Sequence, residues 1–270
     1  MSQSDLEKLN AKYPTDAGLA YLSERSVFKG KDLHNELSDM SWFELNLFGI
    51  TGRQFSDGDL KILNYIWTST SYADIRIWPN RISALASSAR TTPILSMVAG
   101  IASCDAELFV ATPLVNCLSM YRSFRNKLNN GQSLESLLED KIENNETIFG
   151  FGRPISSVDE RVPHLVMFLN SLERDKGESF KMAFQINDYL KRTKKIQMNI
   201  AALYSAICAD LGFNEVEMNL FVSLLVFAGM PPCYMDTLEK PPGALLPLKC
   251  SDIKYTGSEP KNWLNENLSL

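Results

Sequence analysis

Along most of the chain, apolar positions recur at intervals of three and four residues, which places side chains on one face of an α-helix. Leu60, Leu63, Ile66 and Trp67 form one such stripe, and Ser56 with Asp59 supplies a helix start after the turn "GRQFSDG". Thr92 followed by Pro93 predicts an N-cap and first helical position, with Ile94, Val98, Ile101 and Asp105 continuing at helical spacing. Leu114, Leu118, Tyr121, Arg125 and Leu128 make a narrow stripe that the turn residues "NNGQS" end. Ile200, Leu203, Tyr204, Ile207 and Leu211 make another, closed by Gly212 where a helix C-terminus favours glycine. Asn214 and Glu217 predict the cap of a further helix, and the all-round apolar run from Leu220 to Ala228 predicts its full burial.

Strand alternation is weak throughout. Short extended pieces are expected near Thr147 to Phe151 and Ile253 to Thr256, and "KPPGALLP" at Lys240 to Pro247 reads as a surface turn. There is no internal repeat and no low-complexity segment. The fold class that follows is all-α.

Composition narrows the function. A chain of 270 residues accommodates one large domain or two unequal ones, and 45% hydrophobic with 22% charged residues is globular. A net charge of -5 argues against nucleic acid or an anionic membrane as partner. The longest apolar run, "LFVSLLVFAGM", is short for a membrane span, and the polar N-terminus suggests a cytoplasmic protein. Five scattered cysteines suggest reduced thiols rather than a disulfide framework or zinc site, and two histidines leave little material for a metal centre. No metal is expected.

The stretch "FGFGRPISSVDERVPH", Phe149 to His164, carries the candidate chemistry. Gly150 and Gly152 bracket an aromatic residue, Arg153 follows, and Asp159, Glu160 and Arg161 come next. Arg161 has the fork geometry for bidentate carboxylate binding, whereas Asp159 and Glu160 fit an internal ion pair that shapes the loop. His34 and His164 read as surface positions, and Trp42, Trp67 and Trp78 as core or interface.

Several stretches together resemble the citrate synthase family. "SWFELNLFGITGRQFSDGDLKIL" is similar to its helix, tight turn and helix, and "RISALASSARTTPILSMVAGIAS" to the small-residue helix pair at its dimer interface. "GFGRPISSVDERVP" is similar to its glycine-rich loop with catalytic histidine and "DPR" motif, and "MNIAALYSAICADLGF" to the helix that bears its catalytic aspartate. The resemblance runs from about Lys31 to Gly257 and implies a two-domain helical fold. The large domain would comprise residues 1–114 and 206–270, the small domain residues 115–205, and two copies would form a homodimer.

The departures bear on activity. Ala201 stands where the family places its aspartate base, Arg153 stands at the histidine after "GFG", and Val226 replaces a keto-acid-binding arginine. The other family histidine should fall near "ATPLVNC", where Asn116 is the nearest polar residue. A guanidinium cannot shuttle protons at physiological pH, but it stabilises negative charge. By the resemblance, Arg153 would stabilise an oxyanion and Arg161 would hold a carboxylate. Gly150 and Gly152 would let backbone approach CoA, and Arg192 and Lys194 would meet its phosphates; a solvated helix end explains "KRTKK" as well. Asp105, Glu107 and His164 are the remaining acid–base candidates, and Arg76 and Arg90 are cations that could face the cleft.

Two functions follow. One is a diverged enzyme that makes or cleaves a carbon–carbon bond between an acyl-CoA and a keto acid, with no permanently bound cofactor. The other is a catalytically inactive homologue acting as a CoA-binding or regulatory subunit. The residue changes argue against physiological citrate synthase activity under either.

Overall fold

The computed structural model describes residues 3–9, 14–107, 109–153, 158–245 and 249–258. After α1 (Gln3–Leu9), strands β1 (Gly18–Tyr21), β2 (Arg25–Phe28) and β3 (Lys31–Asp32) form an antiparallel meander, with Leu19 opposite Val27 and Phe28 opposite Lys31. This sheet departs from the all-helical reading at the N-terminal side. Elsewhere the described chain is helical apart from short strands and turns, and the class remains all-α.

Sequence-local start signals set most helix boundaries. Ser41 and Glu44 form a reciprocal capping box for α2 (Trp42–Thr51), and Ser56 accepts from the Asp59 N–H at the start of α3 (Asp57–Ser69). Pro79 and Pro93 occupy the first turns of α4 (Trp78–Ser88) and α5 (Pro93–Ala102), with Thr92 as the N-cap of α5. A two-stranded hairpin, β4 (Asp105–Ala106) and β5 (Phe109–Val110), leads into α6 (Ala111–Asn129), followed by α7 (Leu134–Glu143) and α8 (Arg161–Ser171). Then come α9 (Glu178–Lys194), α10 (Ile200–Asp210) and α11 (Glu215–Val222), the last under an Asn214–Glu217 capping box.

Helix α10 is the axis of the main core. Nine of its residues are buried, among them Leu203, Tyr204 and Cys208, and it packs on α6, α8 and α9. Ser205 inside it donates to the Leu114 carbonyl at 2.8 Å, which satisfies the hydroxyl where α10 meets α6. At its far end Asp210 accepts from the Ser179 and Phe180 N–H groups and pairs with Arg125, so a carboxylate on one helix caps the start of α9.

The run from Leu220 to Ala228 does not continue as one buried helix. Helix α11 stops at Val222, turns follow, and a 3-10 turn at Phe227–Gly229 precedes α12 (Met230–Leu238). Leu220 is half exposed and Ala228 is exposed, while Phe221, Val222, Leu225 and Val226 face inward. Residues Glu215–Leu238 taken as one segment have the length and hydropathy of a membrane span, but this interruption divides them. Trp67 donates from its ring N–H to the Leu224 carbonyl at 2.6 Å, which fixes the turn against α3. The bend carries Leu225 and Val226 to the cleft described below.

Helices α4, α5 and α12 form a second packed unit. Small residues let them approach: Ser83 Oγ lies 3.0 Å from Ser96 Oγ, and Ser87 donates to the Tyr234 carbonyl at 2.8 Å. Their outer surface exposes Leu85, Ile94 (76%), Leu95 and Val98. Residues 253–256 form no strand; Phe151 makes one antiparallel bridge, to Met198; and the turn at Lys240 to Pro247 lies partly outside the described residues.

Candidate functional site

The starts of α8 and α10 meet at one carboxylate. Asp159, fully buried, accepts from Arg161 Nε at 2.8 Å and Nη2 at 2.7 Å, and from the Ile200 N–H at 2.8 Å. It also takes the Arg161 N–H at 3.2 Å, so one side chain ties two helix starts and holds a guanidinium flat against them. Burial pushes the Asp159 carboxyl upward, but the Arg161 fork and the Ile200 N–H outweigh it and hold the group below the usual carboxylate range.

The glycine loop is fixed to the same place from the other side. Gly152 donates its N–H to the Gln197 carbonyl at 2.8 Å, the Asn199 N–H reaches the Gly150 carbonyl at 2.9 Å, and Asn199 Nδ2 donates to the Gly152 carbonyl at 2.7 Å. At Gly150 (φ 86°) a methyl group would lie 2.8 Å from Ala202 Cα and 2.9 Å from Cys117 Sγ. The loop therefore needs glycine both for its backbone angle and for its contact with α10. Gly152 has φ 87° but more space, and it borders the cleft.

Between these elements lies a cleft of about 280 Å³. Arg153, Arg161, Asn199, Ala201 and Tyr204 line it from the glycine loop, the start of α8, and α10 with its N-cap; Thr70, Tyr72 and Ile77 come from the end of α3 and the approach to α4. Phe109 and Val110 enter from the hairpin, Pro113 and Leu114 from α6, and Leu225 and Val226 from the turn after α11. Val110 sits at the start of α6 with φ 56°, an unusual angle for a β-branched residue. Arg153 Nη1 lies 3.3 Å from the Val158 carbonyl and 3.3 Å from the exposed carboxylate of Glu160.

The sequence-expected site residues fall in three places. Arg153, Arg161, Gly152, Ala201 and Val226 border one cleft, while Gly150 packs behind it. Arg192 and Lys194 lie exposed in the last turn of α9, just before the 195–199 segment that pairs with the glycine loop; the Arg192 guanidinium lies over the Tyr189 ring. Asp105, Glu107, His34 and His164 are exposed, and none of them, nor Asn116, borders the cleft. Arg76 and Arg90 are elsewhere too: Arg76 pairs with Asp74 at the surface, and Arg90 Nη1 donates to the Leu238 carbonyl at 3.0 Å, clasping α4 to α12. Trp42 and Trp78 are exposed over half their area or more. Residues 154–157 of the loop lie outside the described residues.

Two tyrosines were missed as site residues. Tyr204 follows Ala201 by one helical turn and therefore shares its face, but its stripe reads equally as core. Its hydroxyl lies 2.7 Å from Ser69 Oγ, and burial, partly offset by Ser69 and Arg161, pushes the phenol up to about 12. Tyr72 lies in the irregular connection before α4, where periodicity gives no signal.

A helical frame whose cleft combines a glycine-rich loop, two arginines and the start of a buried helix defines a citrate synthase-like protein. The family described as "Citrate synthase, C-terminal domain" matches residues 2–230, and the chain belongs to that family. No curated protein matches the chain. Among solved structures it is similar to citryl-CoA lyase from Hydrogenobacter thermophilus, with TM-score 0.81 and 18% identity over 93% of this chain and 96% of that one. It is similar also to ATP citrate lyase from Methanothrix soehngenii in complex with citrate and coenzyme A, with TM-score 0.72 and 16% identity over 97% of this chain and 45% of that one. Citrate synthase from Thermotoga maritima matches with TM-score 0.61 and 14% identity, over 84% of this chain and 60% of that one.

Proposed function

We propose that the protein binds a CoA thioester and makes or cleaves a carbon–carbon bond between its acyl group and a carboxylate-bearing keto acid, as an acyltransferase or lyase. The observation that carries this reading is the meeting of Arg153 and Arg161 in one cleft, bordered by a glycine loop that pairs with the segment after the basic end of α9. The reactions named for the similar structures, citryl-CoA lyase and ATP citrate lyase, point the same way.

In the cleavage direction the substrate hydroxyl loses its proton, the carbon–carbon bond electrons pass to the thioester as an enolate, and that enolate takes a proton at carbon; condensation is the reverse. Arg153 stabilises the enolate oxygen and Arg161 faces the carboxylate. Ala201 supplies no base, and the phenol of Tyr204, pushed up to about 12, stays protonated near neutral pH and is no base either. Proton removal then falls to water or substrate, about 100-fold or more slower than with a positioned base.

The same alanine favours a second reading, a CoA-binding or regulatory homologue without turnover. Calorimetric titration of the purified chain with acetyl-CoA and free CoA, repeated with Lys194→Ala, tests the shared part of both readings. Saturable binding weakened by that substitution supports the CoA site, and no binding at millimolar ligand removes it. Screening keto acids for turnover with CoA bound then separates enzyme from binder.

We infer further that two copies associate through the outer face of α4 and α5, where Leu85, Ile94, Leu95 and Val98 are exposed together. The division into residues 1–114 with 206–270 and 115–205 would fall within α6 and α10, two helices of the common core.

A further inference from the structure

Resting on the reading of the cleft as a keto-acid site, we propose that its acid ligand carries one carboxylate on an apolar chain, a 2-oxo monocarboxylic acid, and not a di- or tricarboxylate.

Two features of the cleft lead to this class. The first is the apolar share of its lining, Ile77, Phe109, Val110, Pro113, Leu225 and Val226. These come from three stretches of the chain, and none of them carries a hydrogen-bonding side chain. A second carboxylate placed there would lose its water and gain no partner, which is costly for an ion.

The second is the state of the polar groups that remain, of which only the Tyr72 phenol, among the described residues, is a neutral hydroxyl without a hydrogen bond. Thr70 donates to the Ile66 carbonyl at 2.8 Å, Tyr204 is joined to Ser69, and Asn199 uses its amide nitrogen on Gly152 and its oxygen on the Ala201 N–H. Arg161 gives two of its nitrogens to Asp159. Arg153 differs, because Glu160 is exposed and can turn to solvent when a ligand arrives. The fixed charges Arg153, Arg161 and Asp159 therefore leave about one positive charge for an anion, enough for one carboxylate.

The test is calorimetry on the full chain with saturating CoA, titrating pyruvate, 2-oxobutanoate, 2-oxohexanoate, oxaloacetate and citrate. Affinity should rise about fourfold for each added methylene along the linear series. Oxaloacetate should bind at least about tenfold more weakly than 2-oxobutanoate, which has the same carbon count and lacks the second charge. Val226→Arg should reverse that preference; because an arginine at a buried position can prevent folding, Val226→Phe is measured beside it and should favour the shorter acids. Flat affinity along the series, tight oxaloacetate or citrate, or no acid binding with CoA present would each overturn the proposal. CoA binding is read in the same titrations. CoA bound without the acid preference therefore removes this inference alone, and the acid preference without CoA binding removes the CoA reading alone.

Discussion

Replacing Asp159 by asparagine tests whether one carboxylate holds the two helix starts at the cleft. The side chain keeps its size but loses its charge and one acceptor. Its new NH2 group must face donors in either orientation: Arg161 Nη2 and the Ile200 N–H, now 2.7 and 2.8 Å from Oδ2, or Arg161 Nε and the Arg161 N–H, now 2.8 and 3.2 Å from Oδ1. Asp159 is fully buried and the Arg161 side chain is only 26% exposed, so water replaces little of what is lost. Breaking a buried pair by removing one partner costs about 3–5 kcal/mol. For a chain of this size that lowers the melting temperature by on the order of 10 °C.

The assay is urea unfolding of both proteins at a series of pH values. Since the folded-state carboxyl lies below its ordinary value, its contribution is fully present above the unfolded pKa and is lost as pH falls through the folded one. The difference between the two proteins should therefore hold constant from pH 8 to about 5 and shrink below about 4. A difference under ~1 kcal/mol at pH 7 would put the pair in the range of exposed salt bridges and refute the argument. A difference that persists unchanged at pH 3 would show that the effect is not the charge.

Three further outcomes are expected. Gly150→Ala forces a side chain into a left-handed backbone and against Ala202 and Cys117, and should cost about 2–5 kcal/mol in unfolding measurements. Ellman titration of the native protein should find one fast thiol, because Cys250 is exposed while Cys104, Cys117, Cys208 and Cys233 are buried, with burial pushing Cys117 up to about 12. Leu95→Glu on the outer face of α5 should turn a dimer into a monomer in light scattering, with little change in melting of the isolated chain.

What was legible in the sequence was mostly local. Ser56, Thr92 with Pro93, and Asn214 with Glu217 mark helix starts because capping satisfies backbone donors with nearby side chains, a bond pattern written within four residues. The β1–β3 meander was missed because strands of four residues or fewer, with Leu19 and Tyr21 turned to solvent, give alternation nothing to repeat. The break after Val222 was missed because no glycine or proline marks it; the turn is held by tertiary contacts such as the Trp67 bond to Leu224. At the site, Arg153 stood out as a residue type out of place and Arg161 as one that matches the family motif. The apolar wall did not, since Ile77, Val110 and Val226 are far apart in the chain and each looks like ordinary core.

That wall bears on the choice between enzyme and binder. Neither Asp159, held low by its partners, nor Tyr204, pushed up to about 12, changes charge between pH 5 and 9. With Ala201 in the lining and the histidines outside the cleft, no described lining residue is a carboxylate or imidazole that can take a proton there. An enzyme built this way draws its catalysis from fixed charge and exclusion of water, and its rate should rise with pH as hydroxide does rather than follow a bell. A bell with a limb near pH 6 would require a titrating group from the substrate or another chain. A flat absence of turnover, together with tight CoA binding, would leave the cleft as a recognition site whose arginines hold an anion without transforming it.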